Sequence, residues 1–220
     1  MLRLSSDSWQ EKYPHLVKHD PTMPIAFGRK SSWIAVKADH NRPVAEYFID
    51  GSPVACDWVE GTVAAIEGKV YILPPTETGW VLVRYDNILV PNDPSQMFGT
   101  DRILDNASTV FGEVQLFASY SVSSSAVWLK SVSGKLVRAY MSHVDGGGAL
   151  GEPTKVEEQW NLMDYDQSDI VHKAAYERHV IPGYEVVMTV AESWSVNPSR
   201  LADYTFVQKS GYYGKANETS

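Results

Sequence analysis

Very short connections between apolar runs constrain the fold of this chain more than any other feature. The run "GKVYILPP" (68–75) is separated from "GWVLVRY" (79–85) only by "TET", and "AVWLKSV" (126–132) is linked by Ser-Gly to "KLVRAYMSHV" (135–144). Strands joined so closely pair antiparallel, since a parallel pair needs a crossover of about a dozen residues. The glycine between the second pair supplies the positive φ of a tight hairpin. Both pairs are therefore predicted to be antiparallel.

Helical patterns interrupt the strands, but without the regular alternation of a doubly wound sheet. Two further strands are predicted in "SWIAVKA" (32–38) and "EVQLFASYSV" (113–122). Helices are predicted in residues 39–50, 93–112, 170–176 and 184–194, with a short one from Asn197. We therefore predict an α+β fold, one mostly antiparallel sheet with helices packed against it. The alternation in 135–144 favours a sheet with one covered face and one face in water.

The length of the chain and its prolines predict a single domain. At 220 residues, the chain is long enough for one well-packed core. Residues 1–30 contain three prolines and are predicted to form an arm that packs on the domain or frays. The domain is assigned to 31–210, and "GYYGKANETS" (211–220) is assigned to a tail.

Composition narrows the classes of function and location. The formal net charge is −8, which disfavours nucleic acids and anionic membranes as partners. Cys56 is the only cysteine, so no internal disulfide can form. The chain has no apolar run of about 18 residues and begins without the apolar stretch of a signal peptide. A cytoplasmic protein that binds neither nucleic acid nor membrane is predicted.

The glycine-rich stretch "VDGGGALGEPTK" (144–155) raises the question of a phosphate site. A phosphate cradle needs glycines that lead directly into the N-terminus of a helix. Here the glycines are followed by Glu-Pro, and no Gly-Lys-Ser/Thr ending is present. We interpret the stretch as a connecting turn and predict no cofactor.

No pattern of metal ligands or nucleophiles is specific enough to predict a catalytic site. His15, His19 and Asp20 lie close together in "YPHLVKHD", but the flanking prolines leave little room for a helix that would align them. Solvated histidines are the favoured interpretation, and no metal is predicted. Cys56 has no glycine-rich elbow around it and is interpreted as a buried thiol.

An acidic stretch is the best candidate for a binding surface. From Glu152 to Asp169 there are six acidic residues and one basic residue, a net charge of −5. Such a stretch is either a solvated surface or a docking patch for a basic partner. For the docking patch, the candidate contacts are Asp164, Tyr165, Asp166 and Asp169, with Trp160 as an aromatic anchor. Core packing is the alternative role for Trp160.

The middle of the chain resembles an uncharacterised family of bacterial proteins. The matching segments, which together span about residues 33 to 201, are "WIAVKADHNRPVAEYF", "GTVAAIEGKVYILPP", "GWVLV", "FGEVQLFASYSVSSSAVWLKSVSGKLVRAY" and "VAESWSVNPSRL". The resemblance implies no established activity and no site residues. It implies an association with toxin and immunity genes.

These observations predict a cytoplasmic protein-binding module. An immunity protein that inhibits a bacterial toxin by occupying its basic active-site cleft is the specific candidate, since negative side chains speed encounter with a basic surface. The alternative is an enzyme of unknown reaction whose site is assembled from distant residues, such as His143, Asp145 and Arg138.

Overall fold

Nine strands form a single antiparallel sheet in the computed structural model, which describes residues 8–85, 97–120, 125–143, 146–162 and 182–217. The strands are β1 (Ser31–Lys37), β2 (Ile49–Cys56), β3 (Val70–Ile72), β4 (Trp80–Arg84), β5 (Glu113–Tyr120), β6 (Ser125–Val132), β7 (Lys135–His143), β8 (Gly146–Leu150) and β9 (Gly211–Ala216). Their order in the sheet is β2-β9-β3-β4-β1-β5-β6-β7-β8, and every pair of neighbours is antiparallel. The predicted α+β fold is confirmed.

Helices fill the connections between these strands. They are α1 (Ser8–Lys12), α2 (Pro14–Val17), α3 (Asn41–Phe48), α4 (Trp58–Ile66), α5 (Met97–Phe111), α6 (Lys155–Glu158), α7 (Tyr184–Trp194) and a 3-10 helix at Pro198–Asp203. Gly112, with a φ of +82°, ends α5 as the sequence predicts. The helix predicted in 170–176 lies outside the described residues. None of the helices within the described ranges is long and apolar enough to cross a membrane.

Both faces of the sheet are covered, so the prediction of one wet face is wrong. On the first face, Trp33, Phe117 and Trp128 belong to one buried cluster with side chains of α4 and α7. On the second face, Ile34 and Leu116 belong to another cluster with side chains of α3 and α5. The central strands are apolar at consecutive positions, which is the pattern of a strand buried on both sides rather than on one.

An aromatic row crosses the first face of the sheet. Its four members, Trp33, Phe117, Trp128 and Tyr140, occupy directly paired positions on β1, β5, β6 and β7. The rings of Trp33 and Phe117 stack at 5.3 Å, and those of Trp128 and Tyr140 at 4.4 Å. Direct cross-strand pairs of this kind stabilise a sheet and fix its register. The row ends at Tyr140, whose partner on β8 is the small residue Ala149.

The C-terminal residues are more integrated than the sequence indicates, whereas the described part of the N-terminal arm packs on the domain, which is one of its two predicted states. Residues 211–216, assigned to a tail, form β9 between β2 and β3, so that the tail begins no earlier than residue 217. The described part of the N-terminal arm packs on α4, where Leu16 lies in one cluster with Val59 and Val63. The backbone N–H of Trp58 also donates to the carbonyl of Pro21 at 3.2 Å.

The inner part of the sheet depends on a close approach between α4 and β3. The buried ring of Tyr71 lies against Gly61 of α4 and Gly211 of β9, and a Cβ atom on either glycine would collide with the ring. Glycine is favoured at both positions because an added Cβ atom would need the space that the Tyr71 ring fills.

Replacement of Gly61 by alanine tests this contact. Alanine favours a helix by up to about 1 kcal/mol over glycine, but overpacking against Tyr71 costs more. We expect Gly61→Ala to lower the free energy of unfolding by about 1–3 kcal/mol in urea denaturation. Gly183→Ala is the control, since no atom lies within 4 Å of its added Cβ. A Gly61→Ala variant at least as stable as the wild type would contradict the packing described.

Candidate functional site

A cleft of about 350 Å³ opens where the aromatic row ends. Its floor consists of the buried residues Arg138, Tyr140 and Glu157. Leu150, Trp160 and Leu162 form an apolar wall, and the exposed carboxylates of Glu152 and Glu158 form the acidic rim. The cleft therefore combines a buried ion pair, an aromatic ring and two solvated negative charges.

A β-bulge in β7 places Arg138 on the face of the sheet that forms the floor of the cleft. Arg138 pairs with Lys130 and Leu136 pairs with Ser131, so Val137 is the extra residue between them. Gly151 lies against the backbone of the bulge and has a φ of +75°. A Cβ atom on Gly151 would collide with the carbonyl group of Val137. The bulge lets Leu136 pack with the second-face cluster while Arg138 stays on the first face, next to Tyr140.

The centre of the floor is a buried ion pair between Arg138 and Glu157. Their side chains are 5% and 0% exposed. The Nε and Nη2 atoms of Arg138 donate to Oε1 of Glu157 at 2.9 and 2.7 Å. Its Nη1 atom donates to the carbonyls of Leu150 and Gly151 at 3.1 and 2.6 Å. All three nitrogen atoms of the guanidinium therefore have acceptors, which a buried cation requires.

Glu157 accepts three more hydrogen bonds. Nε1 of Trp128 donates to its Oε1 at 2.7 Å, and the backbone N–H and hydroxyl of Thr154 donate to its Oε2 at 2.8 and 2.6 Å. Burial by itself raises the pKa of this carboxyl group, but the hydrogen bonds from Arg138, Thr154 and Trp128 outweigh burial and lower the pKa below its usual value. Glu157 is therefore held as a carboxylate and is poorly suited to exchange protons.

The local sequence explains why Glu157 reaches the sheet. Thr154 precedes α6, and the Thr-x-x-Glu spacing lets the glutamate turn back to the N–H of Thr154, as in a capping box. Nε1 of Trp194 donates to the Thr154 hydroxyl at 3.2 Å, so α7 also contacts this turn. Helix α6 is only four residues long, and these contacts fix its position on the sheet.

The electrostatic balance of the cleft is negative. Among the described residues that line it, the charged side chains are three carboxylates and one guanidinium, a net charge of −2. Because Arg138 and Glu157 neutralise each other, this excess lies on Glu152 and Glu158, which are exposed to solvent. Lys155, the only base in residues 146–162, is exposed and does not line the cleft.

The structure places only one of the predicted contact residues. Trp160 packs partly against the first-face cluster, which is the alternative role predicted for it, and it also lines the cleft. Its role as an aromatic anchor for a partner stays a prediction. Asp164, Tyr165, Asp166 and Asp169 lie outside the described residues.

The described residues do not assemble the alternative, enzymatic site of His143, Asp145 and Arg138. Arg138 is committed to Glu157 and to two carbonyls, while Asp145 and the side chain of His143 lie outside the described part of the chain.

The glycine-rich stretch differs from its prediction. Residues Gly146–Leu150 form β8 and pair with β7, whereas a connecting turn was predicted. Glycine is uncommon in strands. Strand β8 is nevertheless held in place because it pairs with β7 over its whole length.

Sequence reasoning missed Thr154, Glu157 and Trp128 as parts of one site. The spacing of Thr154 and Glu157 is a signal that could have found two of them. Trp128 joins them only through the fold.

Within the described residues, the histidines, the possible metal ligands and Cys56 do not form a reactive centre. The Nε2 atom of His19 lies 3.2 Å from the carbonyl of Met23, and His15 contacts the ring of Tyr13 edge-on. Among the described residues, no group of three or more His, Cys, Asp or Glu side chains is placed to hold a metal ion. Cys56 is buried, and its burial strongly raises the pKa of the thiol, which keeps it protonated and unreactive.

Comparison with protein families, with curated proteins and with solved structures finds no match for this chain.

Acid should weaken the fold through Glu157. Because its pKa is lower in the folded protein, the folded state binds fewer protons than the unfolded state in acid, and the stabilisation is lost as the pH falls below the usual value of 4.5. We expect the free energy of unfolding to fall more steeply for the wild type than for Glu157→Gln between about pH 6 and about pH 3. Urea denaturation followed by tryptophan fluorescence measures both curves. Glu158→Gln, which removes an exposed carboxylate, is the control, and equal slopes for wild type and Glu157→Gln would contradict the assignment.

Proposed function

We propose that the protein is a binding module that holds a basic segment of a partner protein at this cleft. The observation that carries the proposal is the acidic rim. Within the described ranges, Glu152 and Glu158 form no ion pair, and the one cation that lines the cleft there, Arg138, is paired with Glu157. A basic segment would supply the missing positive charge.

The net charge of the whole chain also favours a basic partner. A net charge of −8 attracts basic partners over a distance and repels acidic ones. Complementary charges of this kind raise the rate of encounter and the specificity of a complex more than its final affinity. The rim alone is therefore expected to bind weakly, and the apolar wall has to contribute.

The apolar wall supplies the remaining contact. The cleft that Glu152 and Glu158 line is also lined by Trp160, Leu150 and Leu162, and Leu150 is 44% exposed. Aromatic residues in partly enclosed pockets account for much of the binding energy of many interfaces, while charged residues around them contribute orientation. The specific form of this proposal is an inhibitor that occludes the active site of a toxin, with a basic segment beside that site held in the cleft. This form rests on the association with toxin and immunity genes that the resemblance implies.

Removal of the rim charges tests the proposal. The probe is a fluorescent octapeptide of alternating lysine and serine, and its affinity is measured by anisotropy at low and high salt. We expect Glu152→Gln/Glu158→Gln to weaken binding by about fivefold or more, which corresponds to about 1 kcal/mol, and salt to weaken binding to the wild type.

A matched control separates the rim from net charge. Glu67→Gln/Glu77→Gln also removes two exposed carboxylates, at positions that do not line the cleft. This variant should change the affinity by less than about twofold. If both double variants weaken binding equally, the cleft is not the binding site and the proposal fails.

A further inference from the structure

We infer that the cleft takes one arginine side chain of the bound segment, with its stem along the apolar wall and its guanidinium at the Glu152 and Glu158 carboxylates. This inference rests on the proposed function and specifies what that function recognises. It is argued from the size of the cleft, from the chemistry of its lining and from two arginine sites that the protein builds for itself.

The size of the cleft selects a side chain rather than a folded element. Its volume of about 350 Å³ is at the low end of the range for small-molecule sites. A helix, with side chains, is about 10 Å across, so a helix cannot enter such a space. One long side chain from an extended segment fits it.

The lining suits a side chain that is apolar along its length and cationic at its tip. Leu150, Trp160 and Leu162 present an apolar surface, and the two rim carboxylates lie where the cleft meets solvent. Lysine and arginine both bury their stems against such surfaces and keep the charged group at the edge. The lining therefore selects these two residue types from the basic segment.

Arginine is favoured over lysine because its group is planar and has five donors. A guanidinium packs against an aromatic ring and can donate to two carboxylates together, whereas an ammonium is a compact and strongly hydrated charge. Trp160, Glu152 and Glu158 all line the cleft, so residues of both kinds are available to one bound side chain.

The protein uses the same combination twice for its own arginines. Arg138 lies over the ring of Tyr140, at 6.0 Å, and donates to Glu157. Arg42 lies over the ring of Tyr212, at 5.4 Å, and its Nε donates to Glu46 at 2.7 Å. One site is buried and the other is exposed, so the arrangement holds a guanidinium in both environments.

Trp160 is an aromatic residue that lines the same cleft as Glu152 and Glu158. Over the described ranges of the chain, no lysine or arginine is placed over the Trp160 ring. Glu152 and Glu158 likewise form no ion pair within those ranges. An arginine supplied by a partner would complete the set.

Peptides that differ at one position test the inference with the full chain. The probes are heptapeptides of glycine and serine with a central arginine, lysine or citrulline, the last being the uncharged counterpart of arginine. Binding is measured by NMR titration, with the indole N–H signal of Trp160 assigned by its loss in Trp160→Phe. We expect the arginine peptide to bind about tenfold more tightly than the citrulline peptide and about threefold more tightly than the lysine peptide, and to shift the Trp160 signal.

Two variants of Trp160 separate its ring from its role in packing. Trp160→Phe keeps an aromatic ring and should bind the arginine peptide within about twofold of the wild type, whereas Trp160→Leu keeps an apolar side chain and should bind it about fivefold more weakly. The signals of the other six tryptophans report whether each variant is folded.

The outcomes distinguish this inference from the proposed function. If the octapeptide depends on the acidic rim but the arginine and citrulline peptides bind equally, or Trp160 does not respond, the inference is wrong and the proposed function stands. If neither probe depends on the rim, both are wrong.

Discussion

The buried ion pair between Arg138 and Glu157 is the interaction on which this end of the molecule depends. Moving two charges out of water costs several kcal/mol for each ion, and attraction alone offsets this only where every donor and acceptor is used. Here the carboxylate accepts from Arg138, Trp128 and Thr154, and the guanidinium also donates to two carbonyls. The pair thus joins the sheet, the C-terminal end of β8 and α6, and it helps to position the chain that follows β8.

The same pair contributes no net charge to the cleft. Because Arg138 is neutralised by Glu157, the negative charge of the described lining lies on the exposed carboxylates of Glu152 and Glu158. The aromatic row contributes the other property, since it ends at Tyr140 opposite Ala149 and leaves room that a larger residue on β8 would fill. The proposed recognition of a basic segment therefore relies on two exposed carboxylates and on the space at the end of the aromatic row.

The sequence predicts the parts of the fold that are determined locally. The β1, β5, β6 and β7 strands are runs of β-branched and aromatic residues, and the hairpins have short loops, so pattern and turn chemistry are sufficient. Strand β9 contains two glycines and pairs with strands more than 130 residues earlier, and nothing local reveals such pairing. Helix α4 was not predicted because Gly61 and its β-branched residues lower helix propensity, although the spacing of Asp57 and Glu60 is a capping signal.

The site is less predictable than the fold because its members meet only after folding. Arg138 and Glu157 are 19 positions apart in the sequence, on a strand and on a short helix. From the sequence alone, an arginine in a strand is expected to face solvent. The acidic stretch was correctly recognised as unusual in charge, yet Glu157 within it is fully buried. A count of charges cannot separate a structural carboxylate from the two that face solvent.

A double-mutant cycle on Arg138→Met and Glu157→Leu measures the ion pair most directly. Each single variant leaves a charge buried without its partner and should lower the free energy of unfolding by about 3–5 kcal/mol. The double variant leaves neither charge, so its loss should be smaller than the sum of the two single losses by at least about 2 kcal/mol. Losses that add to within about 0.5 kcal/mol would show that the two residues act independently, contrary to the structure.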